Sequence, residues 1–113
     1  MVNCFVVDVD GTLCEIVTDE DYKNAVPKHD IINKVNEAFH RDIYIYLYTA
    51  RGMRSFNGNV FLIEQYHRPI LLNWLAEHKV KFNELHFGKP WHGKTYYVDD
   101  HALSLDQFLE MKL

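Results

Sequence analysis

Asp8 and Asp10 stand two positions apart at the end of the apolar run CFVVD, and Gly11 and Thr12 follow at once. Side chains alternate along a strand, so positions 8 and 10 face the same way. Clustered carboxylates repel and are costly to desolvate unless a cation joins them. Mg²⁺ suits such a place, because it is hard, prefers oxygen ligands, and takes one or two carboxylates with water and substrate phosphate. A carboxylate beside the metal can attack phosphorus. The second can give a proton to the leaving oxygen and later take one from water. Gly11 allows a sharp turn that brings backbone amides toward a phosphate, so Gly11 and Thr12 are read as substrate-binding. Taken alone, Asp-Gly after an apolar run is also a common hairpin turn.

Other elements must carry the partners of this pair. Residues 4–8 read as a strand buried on both faces, as in a parallel sheet. Residues 28–41 place Ile31, Ile32, Val35, Ala38 and Phe39 at helical spacing, with Pro27 just before. Residues 43–48, IYIYLY, are β-branched and aromatic and predict a second strand. The alternation of Tyr44, Tyr46 and Tyr48 predicts a strand face laid against a helix. A polar loop over 51–59 leads into a helical stretch broken or restarted at Pro69, with an apolar stripe of Ile70, Leu71, Trp74 and Leu75. ELHF, 84–87, predicts a third strand and TYYVDD, 95–100, a fourth. The chain closes in a helix in which Ser104 and Gln107 are spaced as a capping box. The alternation predicts one α/β domain over 1–113 with a mainly parallel sheet.

In such a sheet, ligands bind beyond the carboxyl ends of the strands. Asp8 with Asp10, Thr49 with Arg51, Lys89, and Asp99 with Asp100 all fall there. Each has a plain alternative: Thr49 can cap a helix, Lys89 can be a solvated loop lysine, and paired aspartates can be a polar loop. Their joint arrangement is the stronger signal. Thr49 and Lys89 supply a donor and a cation for phosphoryl transfer, which needs mostly positioning and charge neutralisation. Arg51 and Arg54 could grip a second anionic group of the substrate. Trp91 and His92 could stack on a sugar or base.

With 113 residues and a formal charge of −4, the chain has one core's worth of sequence and no general attraction for nucleic acid or anionic lipid. A nucleic-acid partner is not thereby excluded. No apolar stretch approaches a bilayer span, and the N-terminus has neither a basic region nor a small-residue cleavage site, so no membrane partner or leader is expected. Cys4 and Cys14 lack a disulfide framework or metal spacing, and the seven histidines are scattered, so reduced thiols, a cytoplasmic location and no zinc site are expected.

The motifs resemble those of the haloacid dehalogenase-like superfamily of phosphohydrolases. FVVDVDGTL looks like its first motif, hhhhDxDGT; IYIYLYT is similar to the second, a strand ending in Thr or Ser; Lys89 matches the third and YYVDD the acidic fourth. The resemblance implies a three-layer Rossmann-like core. It implies Asp8 as nucleophile, Asp10 as general acid/base, and Thr49 and Lys89 as phosphate binders. It implies Mg²⁺ held by Asp8, the Asp10 main-chain carbonyl and Asp99, with Asp100 as a ligand or a supporting partner. Asp at position 10 favours a phosphatase over the dehalogenase branch. YTARGMRSFNGNV with the 68–91 stretch resembles small phosphatases of capsule or surface-polysaccharide biosynthesis, which implies a phosphorylated sugar substrate.

Between Leu13 and Thr49, and again between Thr49 and Lys89, too little chain is left for a separate cap domain. An open site is expected, covered at most by the 12–26 flap and the 51–60 loop. Specificity then falls to Arg51, Arg54, Asn57, Asn59 and the Trp91–His92 pair, or to a second copy of the chain. Two other readings stay open: a nucleotide or polynucleotide-end phosphatase, and a phosphate-binding module without turnover.

Overall fold

A computed structural model describes all residues, Met1–Leu113. Strand β1 (Cys4–Asp8), helix α1 (His29–His40), strand β2 (Tyr44–Thr49), helix α2 (Val60–Glu77), strand β3 (Glu84–Phe87) and helix α3 (Leu105–Glu110) follow in order, with a short 3₁₀ turn at Tyr22–Asn24. The sheet is parallel in the order β1-β2-β3, with Asp8 opposite Tyr48 and Thr49 opposite Phe87. Its carboxyl ends are therefore level, and the residues that follow them share one edge.

Because the strands step in one direction, right-handed crossovers put α1 and α2 on the same face. The burial alternates accordingly. Phe5, Val7, Ile45, Leu47, Thr49, Leu85 and Phe87 are buried, while Val6 on the opposite face is 65% exposed. α3 joins the helical side through Phe108, whose ring meets Phe5 edge-on at 5.0 Å. So β1 is not buried on both faces, and no helix covers the second face. The alternation along β2 does lay one face against the helices, and it is the face opposite the tyrosines. Tyr44, Tyr46 and Tyr48 stand on the open face, where Tyr46 stacks on His86 at 4.4 Å. The smaller Ile45 and Leu47 take the helical side, since they pack at the density a core requires.

α2 runs unbroken through Pro69. Pro69 is exposed, and the turns around it are fixed by buried His67 and Leu71. Arg68 adds two bonds to Glu64 and one to the Leu85 carbonyl. Those contacts outweigh the roughly 3 kcal/mol an interior proline costs. The buried stripe is Ile63, His67, Leu71, Trp74 and Leu75. α3 has the expected capping box between Ser104 and Gln107.

The expected fourth strand does not form. Residues 95–98 have no ladder partner, and Val98 is 99% exposed. Aromatic and β-branched residues favour strands by packing on a pleated surface, and this segment is drawn away from β1 instead. The Tyr97 hydroxyl donates to the Pro90 carbonyl at 2.5 Å, and the Lys89 ammonium sits 4.3 Å over the Tyr97 ring. The outer edge of β1 is left unpaired.

Candidate active site

A cavity of about 470 Å³ opens at the carboxyl edge of the sheet. Asp8 and Asp10 come to it from β1, Ala50, Arg51 and Arg54 from the turn after β2, and Lys89 from the loop after β3. Ile16, Val17 and Tyr22 of the flap close one side, and Trp91 and Tyr97 another. The expected cover of flap and 51–60 loop is therefore joined by Trp91, Thr95 and Tyr97 from the chain after β3.

Asp8 is paired with the lysine that follows β3. Lys89 Nζ lies 3.4 Å from its Oδ1. Burial pushes its carboxyl above the usual carboxylate range, and Lys89 opposes that shift. Asp10 is held differently. Arg51 Nε donates to both of its oxygens, at 3.2 and 3.0 Å, and Nη2 donates to Oδ1 at 3.0 Å. The Cys14 thiol also donates to Oδ1, at 3.5 Å. Oδ1 thus has three donors and Oδ2 one, which leaves Oδ2 the freer oxygen. Burial, with the Asp10 charge adding to it, pushes the Cys14 thiol up to about 12, so it is a proton donor and not a nucleophile.

Arg51 was expected to face the substrate. Its side chain is instead wholly buried, spread over the Tyr22 ring at 4.3 Å and turned onto Asp10. Nη1 is left with no protein partner. Thr49 is also set back from the cavity. It is fully buried, and its hydroxyl oxygen accepts the Arg51 backbone N–H at 3.1 Å. Gly11 and Thr12 do not offer their amides. These donate within the turn, to Cys14 O at 2.8 Å and Val9 O at 3.1 Å. Asn59 is spent as the N-cap of α2, accepting from Leu62 N–H.

Asp99 and Asp100 lie apart from the first two aspartates on the exposed chain before α3. Asp99 accepts the His101 backbone N–H at 2.8 Å, which holds its carboxyl below the usual range. No three His, Cys, Asp or Glu side chains come close enough together to surround a cation. Asp19 and Glu20 also line the cavity, and Asp8 and Asp10 are the carboxylates that reach it from the end of β1. That pair suits a hard ion that fills its remaining positions with water and a ligand's oxygens.

Tyr22 and His67 were not singled out by the sequence. Nothing in the spacing points to Tyr22. His67 was legible, since stepping back from Leu71 by four and eight residues along a helix lands on His67 and Ile63. Its ring is boxed by Tyr22, Phe56 and Tyr66 at 4.9 to 5.9 Å, with neither nitrogen partnered. Desolvation and the nearby Arg51 charge hold its pKa below the usual value, so the neutral imidazole is favoured.

Gly52 seats the Arg51 turn on that ring. At φ +79° it is left-handed, and a Cβ there would stand 2.8 Å from His67 Cδ2 and 3.0 Å from Ile63 Cγ1. Gly93, at φ +65°, has nothing within 4 Å. Gly52→Ala is expected to destabilise by about 3 kcal/mol, and Gly93→Ala by about 1 kcal/mol, backbone strain alone. Urea unfolding midpoints of the two variants check this. Equal losses would show that the Arg51 turn does not rest on His67.

The fold and cavity define a small parallel α/β protein with a mixed-charge site at its strand ends. A target protein from Vibrio cholerae, known from a crystal structure, is 38% identical to this chain, with a TM-score of 0.92. The match covers 99% of this chain and 91% of that one, and the chain belongs to the same family as the Vibrio protein. No family model matches the chain, and no curated protein does. No helix is long and apolar enough to cross a membrane.

Proposed function

We propose that the chain is a Mg²⁺-dependent phosphomonoesterase of the haloacid dehalogenase-like type, acting on a phosphorylated sugar such as those of surface-polysaccharide synthesis. One observation carries the reading: Asp8 and Asp10 leave the end of β1 into one cavity, with Lys89 on the first and Arg51 on the second. An Asp8 oxygen attacks phosphorus, and the bond from phosphorus to the leaving oxygen breaks as Asp10 gives that oxygen a proton. Water then attacks the aspartyl-phosphate, Asp10 takes its proton, and the Asp8–phosphorus bond breaks. Arg51 and Cys14 together hold Oδ1 of Asp10, and Oδ2, with Arg51 Nε as its one donor, is the oxygen left for these transfers. Mg²⁺ would be held by Asp8 and the Asp10 main-chain carbonyl, and it supplies charge neutralisation for the phosphoryl group. In the full three-layer form of this fold type, residues 95–98 would pair with the outer edge of β1 and bring Asp99 to Asp8. The two free thiols, Cys4 and Cys14, suit a reducing compartment such as the cytoplasm.

The position of Asp99 and Asp100 favours a second reading, a phosphate-binding module without turnover. Hydrolysis of p-nitrophenyl phosphate with Mg²⁺, and again after chelation, separates the two. Turnover that chelation abolishes is expected. No turnover with Mg²⁺, together with retained phosphate binding, would leave the binding module. Equal rates with and without chelator would sink the metal.

A further inference from the structure

A second cavity, of about 710 Å³, adjoins the first and shares Arg54 and Trp91 with it. Met53, Arg54 and Asn57 reach it from the turn after β2, and Trp91 and His92 from the loop after β3. These two segments are far apart in sequence and meet at both cavities. The two cavities differ in charge. Asp19 and Glu20 stand on the wall of the first, but no carboxylate lines the second. The Arg54 side chain forms no ion pair and no hydrogen bond to the protein, unlike those of Arg41, Arg51 and Arg68, each of which is paired with a carboxylate. An unpaired guanidinium beside an indole, an amide and an imidazole suits a ring that stacks on Trp91 and carries an anion.

Building on the phosphatase reading, we infer that the second cavity is the leaving-group subsite and that the substrate is a ring-bearing bisphosphate. One phosphate sits at Asp8 and Lys89, the ring crosses Trp91, and the second anionic group meets Arg54. Sugar bisphosphates and nucleoside bisphosphates share this chemistry. The volume of the second cavity lies within the roughly 300–1,000 Å³ of small-molecule sites.

The test compares glucose 1,6-bisphosphate, 3′-phosphoadenosine 5′-phosphate, glucose 6-phosphate and p-nitrophenyl phosphate on the whole protein and on Arg54→Ala. Arg54 is exposed, so the variant is expected to fold. The wild type is expected to prefer one of the two bisphosphates over both monophosphates, and which one names the ring. In Arg54→Ala the ratio of kcat/KM for that bisphosphate over the aryl phosphate falls about tenfold, as for a lost charge-assisted contact. No preference in the wild type, or an unchanged ratio in the variant, overturns the subsite. Failure to hydrolyse even the aryl phosphate would instead refute the phosphatase reading. Quenching of Trp91 fluorescence by each bisphosphate would then decide the subsite by itself: loss of quenching in Arg54→Ala supports it, and equal quenching in both proteins overturns it.

Discussion

Asp8→Asn is expected to abolish phosphoenzyme formation and cut turnover by about 10³-fold or more, since a group that acts covalently cannot be replaced by an amide. The same substitution is expected to raise the melting temperature of the metal-free protein at pH 7. Burial raises the Asp8 pKa above its unfolded value of 3.8 even with Lys89 opposing, so the folded state binds the proton more tightly than the unfolded one. Stability then falls as pH rises through that range, and the penalty is complete once the carboxylate is ionised. Asparagine keeps the shape and removes the charge. The gain over wild type therefore shrinks as pH is lowered toward 3.8. Mg²⁺ reverses the order, because it binds the folded wild type and has lost its carboxylate in the variant. Melting curves with and without Mg²⁺, beside a rapid-quench assay, read all three effects. A variant that kept most of its turnover would point to direct attack by water.

What the sequence made legible was local or periodic. β1 and β2 announce themselves as apolar, β-branched runs, and the capping box of α3 is settled within four residues. The third strand, only Glu84–Phe87, shows as a short alternation in which Leu85 and Phe87 are buried. The errors arose where a local rule met a distant contact. Pro69 breaks helices that have nothing else to hold them, but α2 is pinned on both sides of it. TYYV has strand-forming residues, but a strand needs an edge to join, and Tyr97 is tied to Pro90 and Lys89. Alternation along β2 showed that two faces exist, and could not show which one the helices would take.

The site divides in the same way. Asp8, Asp10 and Lys89 were placed together because each follows a strand, and level strand ends bring such residues to one edge. The partners of these groups were not readable. Arg51 lies 41 residues from Asp10, and its choice of that carboxylate over solvent depends on Tyr22 and Cys14 closing around it. The specificity candidates fared better as a group than singly. Arg54, Asn57, Trp91 and His92 do share one cavity, whereas Asn59 is consumed by the helix it starts.

Arg51→Ala is therefore expected to cost both stability and chemistry. Its side chain is wholly buried, and that of Asp10 is 25% exposed. Removing one member of a buried pair costs about 3–5 kcal/mol; water reaching Asp10 offsets part of this, and a loss of about 2–3 kcal/mol is expected. Arg51→Lys is expected to recover little of it, because an ammonium cannot reproduce the two-armed grip of Nε and Nη2 or lie flat on Tyr22. For catalysis Arg51 is a positioning residue. Without it the Asp10 carboxyl is free to rotate, and the contribution of a general acid, about 10²–10⁴-fold, is at stake. A merely structural role would lower the melting temperature and leave the activity of the folded fraction intact. Free guanidinium separates the two, because it can enter the space left in Arg51→Ala and bind Asp10 again. Millimolar guanidinium, well below denaturing concentrations, is expected to restore part of kcat in Arg51→Ala and none in Asp10→Asn. If kcat in the folded Arg51→Ala protein equalled that of the wild type, Asp10 would not need its guanidinium, and the ion pair would serve the fold alone.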